Sequence, residues 1–290
     1  MLHHRYRSTG VVDVAGPDRV PFLQGQLTQD VRNLRDGEAR PAAGLSPKGK
    51  LLFTARLIGA GDVLRLLVPA GLRQAVTAHL AKYAAFQKAT VSDRSDEWLR
   101  IGLYGSFPAA SPTGALRLEG EGEFSEELLV PADEAAQGAA TAWLAAAGST
   151  PIAAEAAEAL RVEAGRPRFG QDMDESNLPV EVGLEPAISR TKGCYVGQEI
   201  VARLATYGRL NRRLVGFRFP EGLVPAPAQL RPAGAGEDKI DWGRVTSSAV
   251  SERLGPIGLG FAFRDVPVGG RLVASAGEGR TAVVAELPFA

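Results

Sequence analysis

The sequence is poor in the residues that build disulfides and metal sites. Its 290 residues include one cysteine, three histidines and two methionines. A single cysteine excludes an internal disulfide, and one cysteine with three histidines offers too few ligands for a structural zinc site. The sequence therefore predicts no metal ligands.

The chain also has no long apolar run and no excess of either charge. No stretch reaches the roughly 20 apolar residues of a membrane span, and no secretory signal pattern opens the chain. Lys plus Arg and Asp plus Glu number 33 each, so the formal net charge is zero. We therefore expect a cytoplasmic protein with no membrane partner and no direct contact with nucleic acid.

The one cysteine lies in a polar segment, Lys192–Glu199, with the sequence KGCYVGQE. From Gly197 onward, apolar residues recur at helical spacing. Cys194 is thus predicted in a turn just before a helix N-terminus, where free N–H groups and the helix dipole favour a thiolate. The alternative is a small buried apolar side chain, but a polar segment with a glycine and a tyrosine beside the cysteine favours a functional thiol.

The first third of the chain predicts the order strand, helix, strand, strand, helix, strand. This order is typical of a ferredoxin-like α+β unit. The segments are Thr9–Val14, Asp18–Leu34, Leu51–Ile58, Val63–Val68, Pro69–Tyr83 and Ala89–Ser92. The preceding pair His3-His4 is expected in a frayed terminus.

A second, looser α+β unit follows, and a region of short strands ends the chain. The second unit is predicted from the strand Trp98–Tyr104, the hairpin of Leu116–Leu118 with Leu128–Val130, and the alanine-rich helices Asp133–Ala147 and Ala153–Val162. After Arg212, short strands broken by Gly and Pro predict a small barrel or sandwich. These strands are Leu214–Phe219, Gln229–Arg231, Ile240–Ser247, Gly258–Phe263, Leu272–Ala274 and Ala282–Leu287, with a loop at Pro220–Gly236. The predicted domains are residues 1–94, 95–208 and 209–290.

One glycine-rich segment imitates a phosphate-binding loop. Gly44–Lys50 has the spacing of such a loop, but Leu51 stands where a Ser or Thr should hold magnesium. A strand is predicted to follow, whereas the bound phosphate needs a helix N-terminus. The segment is therefore interpreted as a tight basic turn.

Charge reverses around the cysteine segment. Acidic residues dominate from Glu155 to Glu185, and basic residues dominate from Arg190 to Arg213. Solvated ion pairing accounts for most of them. The functional alternative is an anionic ligand near the basic residues and a carboxylate that reads a nitrogen-rich ring.

Several motifs in a fixed order resemble those of the YgfZ-type folate-binding proteins, which are relatives of the aminomethyltransferase (T-protein) of glycine cleavage. The run Lys192–Glu199 is the most specific of them. The others are Phe22–Val31, Ser46–Lys50, Leu160–Pro167, Gly170–Asp172, Leu178–Glu181, Arg213–Phe217 and Gly258–Ala262. The resemblance spans nearly the whole chain.

The resemblance implies an α+β fold with two interleaved antiparallel-sheet units (ferredoxin-like) and a C-terminal β-barrel, in a cloverleaf around a central channel. It implies tetrahydrofolate or a folate derivative as cofactor, with Glu163 holding the pterin. It also implies iron–sulfur client or assembly proteins as partners, with effects on iron–sulfur-dependent tRNA modification. Cys194 would carry a persulfide, a metal or a transient disulfide, and Lys192 and Gln198 would position its turn or its ligand. Arg213 is assigned to the anionic folate tail on charge alone.

The sequence departs from the transferases at one position. Those enzymes carry an acidic residue on the strand after a Gly-Gly turn, whereas Lys50–Ala55 has none and Asp62 lies in a hairpin turn. Without that carboxylate, aminomethyl transfer loses the general acid or base that moves the proton. The expectation is a folate-binding accessory protein rather than a conventional enzyme. An aminomethyltransferase and a scaffold without ligand stay as alternatives.

Overall fold

The structure is a computed structural model that describes residues 1–6, 9–208, 210–233, 242–275 and 279–290, with the backbone alone for 205–207. The strands are β1 (Leu2–Arg5), β2 (Gly10–Ala15), β3 (Ala39–Leu45), β4 (Leu51–Ala60), β5 (Val63–Val68), β6 (Thr90–Asp93), β7 (Trp98–Tyr104), β8 (Leu116–Glu119), β9 (Glu126–Pro131), β10 (Thr150–Pro151), β11 (Arg212–Arg218), β12 (Ala228–Arg231), β13 (Gly243–Ser251), β14 (Gly255–Phe263), β15 (Arg271–Ala274) and β16 (Thr281–Ala285). The α-helices are α1 (Arg19–Gln26), α2 (Arg73–Ala84), α3 (Glu134–Ala146), α4 (Ala154–Glu163) and α5 (Gln198–Tyr207). Within the described ranges, no helix is long and apolar enough to cross a membrane.

The first sheet has the strand order β3-β4-β5-β2-β6 and is antiparallel throughout. The predicted ferredoxin-like pattern is confirmed, since the four predicted strands appear in the order expected for that fold. Strand β3 is an addition that the sequence reading missed, and it extends the sheet beyond β4. Helices α1 and α2 cover one face through a core that includes Val12, Leu23, Phe53, Leu66 and Leu80.

The first helix is shorter than predicted. It ends at Gln26, because Leu27 takes an extended conformation and bridges to Gly44 on β3. The next residue continues this pairing, since Thr28 N donates to Ala43 O at 2.9 Å. Leu27 is therefore buried where it pairs with β3, although the apolar residues beyond Gln26 keep the spacing of a continuing helix.

The second sheet has the order β10-β1-β7-β9-β8. The predicted strand β7, the hairpin β8–β9 and the helix α3 are confirmed, and the Asp133 carboxylate caps α3 by accepting from Ala136 N at 2.9 Å. The expectation of a frayed N-terminus is wrong, because His3 and His4 lie in β1 between β7 and β10. His3 Nδ1 lies 2.9 Å from Ser149 Oγ, which ties β1 to the segment after α3.

The two sheets face each other within one unit. Apolar residues of both meet in a shared cluster, which contains Val11, Ile58 and Leu67 of the first sheet and Leu118 and Leu129 of the second. A buried ion pair crosses the same interface, with Arg56 Nη1 of β4 at 2.7 Å from Glu127 Oε2 of β9. Arg100 of β7 binds the same carboxylate at 2.8 Å.

The C-terminal strands form a closed six-stranded barrel in the order β11-β14-β13-β12-β15-β16. Pairing of β16 with β11 closes it, and its interior holds residues such as Phe217, Phe219 and Val245. The predicted small barrel is thereby confirmed. The predicted strand start at Ile240–Asp241 and the end of the predicted loop at residues 234–236 lie outside the described residues.

The chain divides into two compact units. One contains Met1–Ile152 and Leu184–Arg203, and the other contains Ala153–Gly183 and Leu204–Ala290. This grouping places both sheets in the first unit and α4 with the barrel in the second. The domain boundaries after residues 94 and 208 stay predictions.

Candidate functional site

The cysteine segment forms a turn ahead of α5, as its glycines and the following helical pattern predict. The Cys194 side chain is exposed. This placement confirms the predicted position before a helix N-terminus and contradicts the alternative of a buried apolar side chain. A thiol at this position can reach a ligand or a partner protein from solvent.

Lys192 anchors this turn to the end of α1. Its Nζ donates to Gln24 O at 2.7 Å, to Leu27 O at 2.5 Å and to Gln29 O at 2.8 Å. The last carbonyls of a helix have no partner within the helix, and an ammonium group has three donors. All three donors of Lys192 are therefore used by backbone. This arrangement favours positioning of the turn over direct contact with a ligand.

Burial sets the protonation of this lysine. Lys192 is 7% exposed, and burial lowers the pKa of its ammonium to about 8. The carboxylate of Asp30 opposes this shift, and the guanidinium of Arg32 adds to it. The Lys192 Nζ also lies 5.1 Å from the ring centroid of Tyr195, within the range of a cation–π contact. At pH 7, which is below this pKa, the site thus holds a buried cation two residues before the cysteine.

Gln198 closes the turn from its other side. Its Oε1 accepts from Tyr195 N at 3.1 Å, and its own backbone N donates to Tyr195 O at 3.2 Å. Val196 N donates to Gly25 O at 3.1 Å, which adds a second link to α1. The residues on both sides of Cys194 are consequently held by hydrogen bonds.

Two positions, one in this turn and one in the β3–β4 turn, require glycine because neighbouring atoms leave no room for a Cβ. Gly197 has φ of +84°, and a Cβ there would lie 2.7 Å from Ser46 O. Gly49 has φ of +72°, and its Cβ would lie 2.8 Å from Ile200 Cβ of α5. The segment that imitates a phosphate loop is therefore the β3–β4 turn, on which the cysteine segment rests. Its rejection as a phosphate site is supported by the strand that follows it.

Glu163 is the last residue of α4, in the second unit. Its side chain is 16% exposed, and its Oε2 accepts from Arg253 Nη2 at 3.3 Å and from Arg253 Nε at 3.4 Å. Its backbone carbonyl accepts from Phe289 N at 2.9 Å. Arg253 lies 90 positions further along the chain, and no sequence pattern pointed to it.

A buried ionic network fixes the residues around Glu163. Arg161 Nη1 lies 2.8 Å from Asp172 Oδ2, and Asp172 Oδ1 accepts from Thr246 Oγ1 at 2.5 Å and from Ser247 Oγ at 2.6 Å. Arg161 and Asp172 belong to motifs that carry the family resemblance, yet their mutual contact was not foreseen. The network joins α4 and the loop after it to β13 of the barrel.

Arg213 is the second residue of β11, the first strand of the barrel. Its Nη2 donates to Val266 O at 2.9 Å, and its Nη1 donates to Arg264 O at 3.3 Å. Part of its donor capacity is thus used by backbone. Its assignment to a folate tail stays a prediction.

The predicted site residues fall into two groups. Lys192, Cys194 and Gln198 come together in one hydrogen-bonded turn of the first unit. Glu163 and Arg213 belong to the second unit, where they have separate partners.

Comparisons with known proteins support the fold described above and the family resemblance of the sequence motifs. No protein-family model matches the chain. An aminomethyltransferase of Rubrobacter xylanophilus is 30% identical, with 91% of this chain and 79% of that protein covered. The tRNA-modifying protein YgfZ of Cronobacter sakazakii is 30% identical, with 87% and 85% covered. The crystal structure of glycine cleavage system aminomethyltransferase T from Bartonella henselae shares the fold, with a TM-score of 0.83, 21% identity, and 99% of this chain and 86% of that chain covered. The chain belongs to the YgfZ-type proteins, the relatives of the glycine cleavage aminomethyltransferase.

Proposed function

We propose that this chain is a cytoplasmic, tetrahydrofolate-binding accessory protein for iron–sulfur cluster assembly or repair, which supports iron–sulfur-dependent tRNA modification. The observation that carries the proposal is the single exposed thiol, Cys194, in a turn held by Lys192 and Gln198. One thiolate cannot hold a four-ligand cluster alone, so a cluster contact is shared with a client or assembly protein. The relatives that are named tRNA-modifying proteins support the part of the proposal that concerns tRNA modification.

The carboxylate of Glu163 has the chemistry that a pterin requires. Among the described residues, none donates a hydrogen bond to its Oε1, and the two bonds from Arg253 to Oε2 are long. The amino group and ring N–H of a pterin are donors, and a carboxylate accepts two parallel hydrogen bonds from such a pair. Glu163 would hold the pterin in this way, with Arg253 steadying the carboxylate. Tetrahydrofolate, when bound, supplies a carrier for one-carbon groups.

Folate binding is tested by calorimetry with tetrahydrofolate. We expect Glu163→Gln to weaken binding about tenfold to a hundredfold, because the amide replaces one acceptor with a donor and removes the charge. Glu155→Gln is the matched control, since Glu155 is an exposed carboxylate at the other end of α4. Equal affinity of the wild type and Glu163→Gln would contradict the assignment, and no heat at high micromolar ligand would favour a scaffold without ligand.

The role of the thiol is tested by complementation of a strain with a defect in cluster assembly. We expect the wild type to restore iron–sulfur-dependent tRNA modification and Cys194→Ser to fail, because the hydroxyl is a far weaker nucleophile and iron ligand than a thiolate. Cys194→Ser should keep the calorimetric affinity for tetrahydrofolate, which separates loss of chemistry from loss of fold. Full complementation by Cys194→Ser would overturn the proposed role.

The aminomethyltransferase of Rubrobacter xylanophilus, at 30% identity, favours a second function, which is aminomethyl transfer to tetrahydrofolate. The first half of β4, Leu51–Ala55, carries no acidic residue that could handle the proton. A glycine cleavage assay with reconstituted partner proteins separates the two functions. Turnover that survives Cys194→Ala and fails in Glu163→Ala would favour the transferase.

A further inference from the structure

A cavity of about 390 Å³ opens in the second unit, between the loop after α4 and the barrel. Its volume lies within the range of small-molecule sites. Its polar lining comes from Gln171, Asp174, Gln229, Arg244, Thr246 and Ser275. Glu163 does not line this cavity, so the cavity is separate from the residue assigned to the pterin.

Arg244 is the cation of this cavity. Its guanidinium carbon lies 5.0 Å from the ring centroid of Phe261, which is its register partner on β14. Its Nε is buried and has no hydrogen-bond partner in the part of the chain that the structure describes. A buried donor without a partner is rare in native proteins, where a bound water or ligand is a common explanation.

Three of the other polar lining side chains already have partners. Thr246 Oγ1 donates to Asp172 Oδ1 at 2.5 Å, and Gln171 Nε2 donates to Ser247 Oγ at 2.9 Å. Asp174 Oδ1 accepts from Ser176 N at 2.8 Å. Arg244 is the positively charged side chain of the lining, and no other residue that the structure describes forms a hydrogen bond or an ion pair with its guanidinium. A planar oxyanion matches the fork geometry of a guanidinium.

We propose that this cavity binds the carboxylate of a small organic acid, with Arg244 as the group that recognises it. The guanidinium carbon lies over the ring of Phe261, and the fork of N–H groups of a guanidinium can donate two parallel hydrogen bonds to the acid. Asp174 also lines the cavity, so a carboxylate group, which carries one negative charge, fits better beside Arg244 than a phosphate dianion. The proposal does not depend on the proposed function, because no residue assigned to folate or to the thiol takes part.

The test uses the full-length protein and records the Nε–H signals of arginine by proton–nitrogen NMR at constant ionic strength. L-Glutamate and p-aminobenzoyl-L-glutamate are the carboxylate probes, tetrahydropterin is the probe without carboxylate, and inorganic phosphate is the competing oxyanion. We expect the Arg244 signal to shift and saturate with a carboxylate probe, but with neither of the other two. Saturation by L-glutamate indicates a free acid as the source, and saturation by p-aminobenzoyl-L-glutamate alone indicates the tail of a folate.

Variants locate the effect. Arg244→Gln should weaken carboxylate binding at least tenfold, and Arg244→Lys should weaken it while keeping the charge. Arg271→Gln, at an exposed position on β15 of the same barrel, should leave it unchanged. No shift with either carboxylate probe, preferential saturation by phosphate, or undiminished carboxylate binding by Arg244→Gln would each overturn the proposal. The wild-type titration alone decides the matter if a variant fails to fold.

Discussion

Replacing Lys192 with methionine is expected to lower the free energy of unfolding by about 2–4 kcal/mol at pH 7, because buried carbonyls lose a charged donor. The three carbonyls that Lys192 binds lie at and just beyond the end of α1, and its Nζ reaches each within 2.8 Å. Denaturant unfolding measures the change. We also expect faster amide exchange at Val196, whose N–H bonds to Gly25 O beside the same carbonyls.

Lys48→Met is the matched control for this prediction. Lys48 is an exposed lysine in the adjoining β3–β4 turn, so its replacement should change stability by less than about 0.5 kcal/mol. If Lys192→Met behaved like Lys48→Met in both stability and Val196 exchange, the anchoring role would be refuted.

The same lysine gives the stability a pH dependence. Burial lowers the folded pKa of Lys192 to about 8, below the value of roughly 10.4 for an unfolded lysine. Between these two values the unfolded chain binds more protons, so the lysine's contribution to the free energy of unfolding rises with pH. The stability difference between the wild type and Lys192→Met should therefore widen from pH 8 to pH 10.

The second large effect is expected at the interface of the two sheets of the first unit. Glu127 is fully buried, with Arg56 Nη1 at 2.7 Å and Arg100 Nε at 2.8 Å. Burial alone would raise the pKa of Glu127, but Arg100 and Arg56 outweigh it and hold the pKa below its ordinary value. Glu127→Gln removes the one buried charge that both guanidinium groups share, and Arg56 keeps only a longer pair with Glu121 at 3.6 Å, so we expect a loss of about 3–5 kcal/mol in the free energy of unfolding.

The neighbouring residue Glu126 provides the control for Glu127. Its side chain is 27% exposed where it pairs with Arg117, and it is therefore far better solvated than Glu127, so Glu126→Gln should cost only about 1 kcal/mol. Both variants are compared by denaturant unfolding in the same buffer. A cost for Glu127→Gln within 1 kcal/mol of that control would show that the buried carboxylate does not hold the sheets together.

Local patterns in the sequence were sufficient for much of the fold. Strand β7 was predicted with its observed ends, and the order of the first α+β unit and the terminal barrel were correct. The errors occurred where pairing partners are distant in the chain. Strand β1 was taken for a frayed end because its role depends on pairing with β7, about 100 residues away. The predicted helix α1 is too long because the apolar residues after Gln26 keep helical spacing, although Leu27 pairs with β3.

The site divides in the same way. The motif around Cys194 and its place before a helix were evident from the sequence, because glycine, polar and apolar spacing act locally. The partners of Lys192 could not be foreseen, because they are backbone carbonyls more than 160 residues away. Every residue has a backbone carbonyl, so the order of side chains does not indicate which carbonyls a lysine binds. The contact of Arg253 with Glu163 was hidden for a related reason, since a charge on its own does not specify its partner.

By itself, the sequence determined most of the helices and strands, the family and the position of the cysteine sulfur before a helix, since periodicity, turn residues and motif spacing are properties of neighbouring positions. Tertiary structure alone decided what holds that sulfur in place, which arginine steadies the carboxylate and which arginine is left with a buried donor. Hydrogen bonds and ion pairs form between the groups that the folded backbone brings within about 3 Å of each other. These distances are fixed only after the strands of the sheets have paired and the barrel has closed.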